Sequence, residues 1–210
     1  MRTKLDRLGL AVATLIASTV AADAHIIGTR LGDFYAGAAH PATDPQDVIL
    51  WIAVGVLAGS LGASRGRWLV LLFPLGLLAG LLIGASVPSL PGSPVMDAGL
   101  ILVLGLLLAA GARIPATALG MIGFALAVLR GAANAGGIGP ETNLPLFAAG
   151  LACTGYVAIT LIMAITIAFR RAEAGDATAW RGIALRAFGG WIAAIGMMMV
   201  GFALASHAGA

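Results

Sequence analysis

Long apolar runs separated by short polar punctuation organise this chain. After a first apolar stretch at residues 8–22, six further runs occupy about residues 48–63, 68–87, 96–112, 114–129, 146–169 and 183–205. Crossing about 30 Å of hydrocarbon as a helix takes roughly 20 mostly apolar residues, and the runs approach or reach that length. None shows the alternating ten-residue pattern of a membrane barrel. The pattern predicts an all-α polytopic bundle in which six transmembrane helices occupy residues 48–210.

The first 24 residues read as an address. Arg2, Lys4 and Arg7 make a basic start, a short apolar run follows, and Ala22-Asp23-Ala24 sets small residues at the positions a signal peptidase reads. Cleavage after Ala24 makes His25 the first residue of the mature chain. An uncleaved signal anchor is the alternative, because the apolar run resumes at Ile26 and Ile27. Residues 25–47 then form an outer segment before the first mature span.

Composition agrees with the apolar pattern: 60% of residues are hydrophobic, 10% are charged and the mean hydropathy is +1.01. Soluble domains carry about a quarter charged residues. Arginines collect in alternate connections: Arg65 and Arg67, then Arg113, then Arg170, Arg171, Arg181 and Arg186. By the positive-inside rule these connections face the cytoplasm. The protein is thus expected in a bacterial-type inner membrane with both mature termini periplasmic. Seven arginines against Glu173 and Asp176 leave the inside at a formal +5. Arg30 and Arg130 against Asp33, Asp44, Asp47, Asp97 and Glu141 leave the outside at −3. That outer face attracts cations, while the pI near 9.8 records topology and implies no nucleic acid.

Glycines recur at four-residue spacing, as Gly55 and Gly59 in the first mature span and Gly76, Gly80 and Gly84 in the second. Small residues so spaced let helix backbones approach closely in lipid. They predict tight helix packing.

Residues 24–54 hold two of the three histidines and three of the nine acids. A short helix over residues 32–39 is expected to end before His40-Pro41, since a residue preceding proline avoids the helical region. The next helix is capped either by Thr43, with Gln46 completing a capping box, or by Asp44, with Pro45 at the first helical position. Both versions place Asp47 in the first turn, where the helix dipole favours a carboxylate. Capping accounts for these residues but leaves His40 unexplained. The functional alternative joins His40 to Asp44 and Asp47 as nitrogen and oxygen ligands for a divalent transition metal. His25, once amino-terminal, adds an imidazole beside a free amine whose pKa near 7.7–8 leaves part of it unprotonated at neutral pH.

The order Ala24-His25, Phe34-Tyr35-Ala36-Gly37, His40-Pro41 and Ala53-Val54-Gly55 resembles the HupE/UreJ family of small membrane proteins, associated with nickel or cobalt uptake. Length and span number are similar too. The resemblance implies a non-enzymatic, permease-like protein with nickel or cobalt as bound or transported ion. It implies a metal site at His25, His40, Asp44, Asp47 and Glu141, with Pro41, Arg130, Gly131 and Asn134 as motif positions. This chain departs from the pattern. Gln46 and Asp47 stand where the first motif has Asp-His, and Arg130 and Asn134 stand where the second motif, roughly His-Gly-x-Ala-His-Gly, has its histidines. Arg130 at the end of the fourth span then suits an ion pair with Asp47 at the start of the first, holding two helix ends together without metal.

Other candidates are weaker. Met197, Met198 and Met199 point in different directions around a helix, Cys153 reads as a small buried hydrophobe, His207 lies near the terminus, and Asp97 follows Ser93-Pro94 as a first-turn acid. The span centres contain no ionisable residue and offer only groups such as Thr154, Tyr156, Thr160 and Thr166, although ion paths usually carry such residues. Two functions follow: a permease taking nickel or cobalt from the periplasmic side, and a non-transporting membrane accessory subunit. The expected partners are the lipid bilayer and a divalent metal ion, with a homo-oligomer or a larger membrane complex left open.

Overall fold

A computed structural model describes residues 32–87, 93–171 and 180–208, and the described residues are helical with no strand. Among the described residues seven α-helices follow one another: α1 Asp33–Thr43, α2 Pro45–Leu61, α3 Ala63–Ser86, α4 Pro94–Ala109, α5 Ala116–Asn134, α6 Leu144–Arg171 and α7 Trp180–Ala208. A single 3₁₀ turn, Ala135–Gly137, extends α5. The expected signal segment and His25 lie outside the described residues.

Among the described residues four helices are long and apolar enough to cross a membrane alone: α3, α5 with its 3₁₀ turn, α6 and α7. A fifth crossing arises if α1 and α2, bent by 81° across Asp44, count as one broken span. The apolar α4 has 16 residues, about 24 Å of helix at 1.5 Å per residue. The helices also run past the apolar runs. Arg65 and Arg67 lie inside α3 and Arg170 and Arg171 inside α6, where connections were expected, and α5 runs on past Arg130 to Asn134. Backbone hydrogen bonding continues a helix through polar residues once its apolar length has formed. Hydropathy marks the lipid-matched part alone.

Turns are set by particular residues. Asp44 Oδ1 accepts the Gln46 N–H at 2.9 Å and caps α2 with Pro45 in first position. Ser93 does the same for α4 by accepting from Met96 N–H, with Pro94 following. Of the two caps anticipated for α2, the Asp44 version is therefore the one formed. Gly62, at φ +92°, both ends α2 and precedes α3, a conformation only glycine takes without strain. The end of α4 closes with Gly111 at φ +64°, its N–H on Leu108 O and the next N–H on Leu107 O. This is a Schellman turn. The first helix departs from expectation, since α1 continues through His40 and Pro41 to Thr43. Ala36, Gly37 and Pro41 are buried, and the Thr43 hydroxyl donates to His40 O at 2.7 Å. Packing and this local bond outweigh the bias against helix before proline.

Glycines set the helix contacts, with α3 beside α5 and α2 beside α6 running parallel and α1 against α6 and α4 against α7 running antiparallel. A Cβ at Gly76, Gly80 or Gly84 would strike α5 at Ala127, Val128 or Ala132, and one at Gly131 would strike Leu77 of α3. Gly55 and Gly59 face Ile162 and Thr166 of α6. Sequence spacing did not single out a second set. Gly37 of α1 sits on Phe147 and Gly150 of α6 on Phe34, while Gly105, Gly189 and Gly196 join α4 to α7. The resulting arrangement has α3, α5 and α6 packed with α1 and α2, and an α4–α7 pair attached mainly along α2. The central core includes Leu50, Trp51, Phe73, Leu77 and Leu151, with Trp51 and Phe73 meeting edge to face at 5.4 Å. Cys153 is exposed on α6 rather than buried, which in a bundle of this kind is the ordinary lot of a lipid-facing small side chain. Met197 and Met198 are exposed, whereas Met199 packs on the core.

This packing makes a direct prediction. Gly150→Val forces α1 from α6 and should cost roughly 1–3 kcal/mol, whereas Gly190→Ala, facing open space within α7, should be neutral or stabilising. Thermal unfolding in detergent reads both. Equal effects would contradict the close-approach account.

Candidate functional site

At one end of the bundle the starts of α2 and α4 meet the end of α5. These segments bring Asp44, Asp47 and Asp97 together around Arg130. Arg130 Nε donates to Asp47 Oδ1 at 2.6 Å, Nη2 pairs with Asp44 Oδ2, and Nη1 lies 3.3 Å from Asp97 Oδ1 and 3.5 Å from Gln46 Oε1. Asn134, one turn after Arg130, donates from Nδ2 to Asp47 Oδ2 at 2.8 Å and to Arg130 O at 2.7 Å. The guanidinium is 2% exposed and Asp47 is 1% exposed, while the side chains of Asp97 and Asp44 are 13% and 39% exposed. Access thus rises from Asp47 outward to Asp44.

The local sequence explains why the cluster forms. Asp44 caps α2 with one oxygen and meets Arg130 with the other. Asp47 and Asp97 occupy first turns, where the positive helix end favours a carboxylate, and Arg130 stands near the negative end of α5. Each charge matches its helix dipole as well as its partners. Burying a guanidinium is costly unless its donors are satisfied, and here every donor-bearing nitrogen has an acceptor or counter-charge. Gly131 lets α5 lie against Leu77 of α3, which fixes the position of the neighbouring Arg130.

The other motif residues are placed differently. His40 is half-buried near the end of α1, 5.8 Å from the Phe147 ring between centroids, and its imidazole fills the space a Cβ on Gly137 would need. Pro41 is buried beside it. Glu141 is exposed in the turn between α5 and α6. The same connection is tied to α1, where Asp33 Oδ2 accepts the Asn143 N–H at 2.8 Å. His207 lies in the last residues of α7. Among the described residues no three His, Cys, Asp or Glu side chains are grouped to hold a metal ion. Asp44 and Asp47 instead serve Arg130, so the ion pair between Asp47 and Arg130 is present.

Sequence reasoning did not place Asp97 or Gln46 in the site. Asp97 follows a Ser-Pro cap just as Asp47 follows an Asp-Pro cap, and that repeated start, acid in the first turn of each helix, was the available signal. Asn134 was recognisable as a motif position, and its role in orienting Asp47 emerges from its place one helical turn beyond Arg130.

The cluster predicts an order of mutational effects. Arg130→Gln leaves Asp47 buried without its cation, and Asp47→Asn leaves the guanidinium short of its most deeply buried counter-charge. Each should cost on the order of 3–5 kcal/mol. Asp97→Asn, at longer range and more exposed, should cost less. Unfolding of the purified variants in detergent gives the order, and an Asp97→Asn cost matching that of Asp47→Asn would contradict it.

No curated protein and no solved structure matches the chain. The family described as HupE / UreJ protein matches residues 12–204, which takes in every element of the Arg130 cluster. This multi-pass helical protein therefore belongs to the HupE/UreJ family.

Proposed function

We propose that this protein is a permease-like protein of the inner membrane that admits a divalent transition metal, nickel or cobalt, from the periplasmic side. The reading takes α2 to α7 as six crossings behind a cleaved signal peptide, with α2 and α4 short and both termini periplasmic. Membership of the HupE/UreJ family supports it, since that family is associated with nickel or cobalt transport or accessory function. The arginines at the opposite end, Arg65, Arg113, Arg170 and Arg186, support the orientation by the positive-inside rule.

The single observation that carries the reading is the charge balance of the outer cluster. One guanidinium faces three carboxylates. Even with the positive ends of α2 and α4 counted at roughly half a charge each, the balance stays negative, and the outermost member, Asp44, is the one that solvent reaches. Such a mouth concentrates cations. His40 and an amino-terminal His25 would supply nitrogen ligands, and Asp44, Asp47 and Glu141 oxygen ligands, for a metal captured there. Arg130 then acts as the resident cation that an incoming divalent ion must displace from the carboxylates or share them with.

A second reading rests on a specific observation as well. Asp47 is fully engaged by Arg130 and Asn134, and so the cluster also suits a non-transporting accessory subunit whose outer end is locked by an ion pair. Uptake of radioactive nickel, cobalt, zinc and copper into proteoliposomes separates the two. The permease reading predicts nickel or cobalt accumulation above empty vesicles and its reduction in His40→Ala. Absence of flux for all four metals would leave the accessory role.

A further inference from the structure

The end of the bundle away from Arg130 carries an open cavity of about 330 Å³. It lies between the ends of α2 and α6 on one side and the α4–α7 pair on the other. Four arginines from four different segments line it: Arg65 at the start of α3, Arg113 in the turn after α4, Arg170 at the end of α6 and Arg186 early in α7. No acidic residue is among its described lining.

Helix capping explains part of this arrangement. Arg170 Nη1 donates to Ser60 O, and Arg186 Nε donates to Ala109 O at 2.9 Å, so each serves the carbonyl-rich end of a helix. A guanidinium has five N–H donors, however, and these contacts use one apiece. The guanidinium groups of Arg65 and Arg113 make no hydrogen bond or ion pair among the described residues. Membrane insertion requires positive charge on this side but does not require it to converge on one concave site. Gly111, in its left-handed turn, lies 3.6 Å from the Arg186 side chain when given a Cβ, so the turn itself shapes the wall.

We propose that this cavity binds a phosphate-bearing anion, with Arg65 and Arg113 as its principal ligands and Arg170 and Arg186 completing the cradle. Guanidinium groups match phosphate oxygens in bidentate geometry. Basic cavities between transmembrane helices on the cytoplasmic side are suited to anionic lipid headgroups, and a free phosphate offers the same chemistry. Because the site joins α2 and α6 to the α4–α7 pair, the anion neutralises arginines contributed by both groups of helices and holds them together.

The test uses the full chain in neutral detergent, probed separately with cardiolipin, phosphatidylcholine and inorganic phosphate. Native mass spectrometry counts retained lipid, and thermal unfolding reports stabilisation by each probe. The comparison set is the wild type, the double variant Arg65→Gln/Arg113→Gln, and Arg67→Gln. Arg67 is exposed outside the cavity, over the Trp68 ring at 5.4 Å, and serves as the charge control. The wild type should bind cardiolipin to saturation at one site per chain and bind phosphatidylcholine no better than background. Affinity should fall about tenfold or more in the double variant and stay unchanged in Arg67→Gln. Saturable phosphate binding with the same variant dependence, and no cardiolipin binding, would keep the anion site and assign its source to solution. Absence of saturable binding by either probe to the wild type, a result independent of whether any variant folds, would overturn the proposal. Equal losses in the double variant and in Arg67→Gln would overturn it as well.

Discussion

The end of the bundle where α2 and α4 begin depends on one buried cation. Arg130 is as enclosed as the leucines of the core, and nothing but its counter-charges makes that burial tolerable. Removing a guanidinium from water carries a penalty of several kcal/mol after relaxation. It is offset by the convergence of Asp44, Asp47 and Asp97 and by the hydrogen bonds that Gln46 and Asn134 add. Those groups come from α2, α4 and α5, so the same interaction sets where three helix ends stand relative to one another. The lower part of the bundle needs no such device, since glycine contacts and a continuous apolar core already hold α3, α5 and α6 together.

Close backbone approach and the ion cluster reinforce each other. Gly131 against Leu77 and Gly80 against Val128 bring α3 and α5 to contact distance, and this lays Arg130 on the inner side of α5 where the α2 and α4 termini converge. A larger side chain at Gly131 would move the guanidinium away from carboxylates whose positions are fixed by their own helix caps. The small residues are therefore a condition of the electrostatics and not a separate packing feature. His40 and Phe147 close the neighbouring contact between α1 and α6, placing an imidazole at the same end of the molecule as the acids.

Much of this was legible in the sequence, because the controlling signals are local or strongly patterned. Apolar runs located the helices, the Asp44-Pro45 and Ser93-Pro94 starts announced their caps, and glycines at four-residue spacing marked two of the interfaces. The opposition of Asp47 and Arg130 followed from the order of spans. What escaped was three-dimensional convergence. Asp97 belongs with Asp47 only because α4 packs beside α2, and Gly37 and Gly150 matter only because α1 folds back on α6, neither of which has a periodic signature. The continuation of α1 through Pro41 was hidden for a related reason. Burial against α6 outweighs the local preference that a single sequence displays.

The central claim is that Arg130 and Asp47 act as one unit, and a double-mutant cycle in detergent measures it directly. Unfolding free energies of the wild type, Arg130→Gln, Asp47→Asn and the double variant give the coupling between the two positions. The account predicts a coupling of about 2 kcal/mol or more, with the double variant much less destabilised than the sum of the single changes. Additive costs, with coupling indistinguishable from zero, would contradict it.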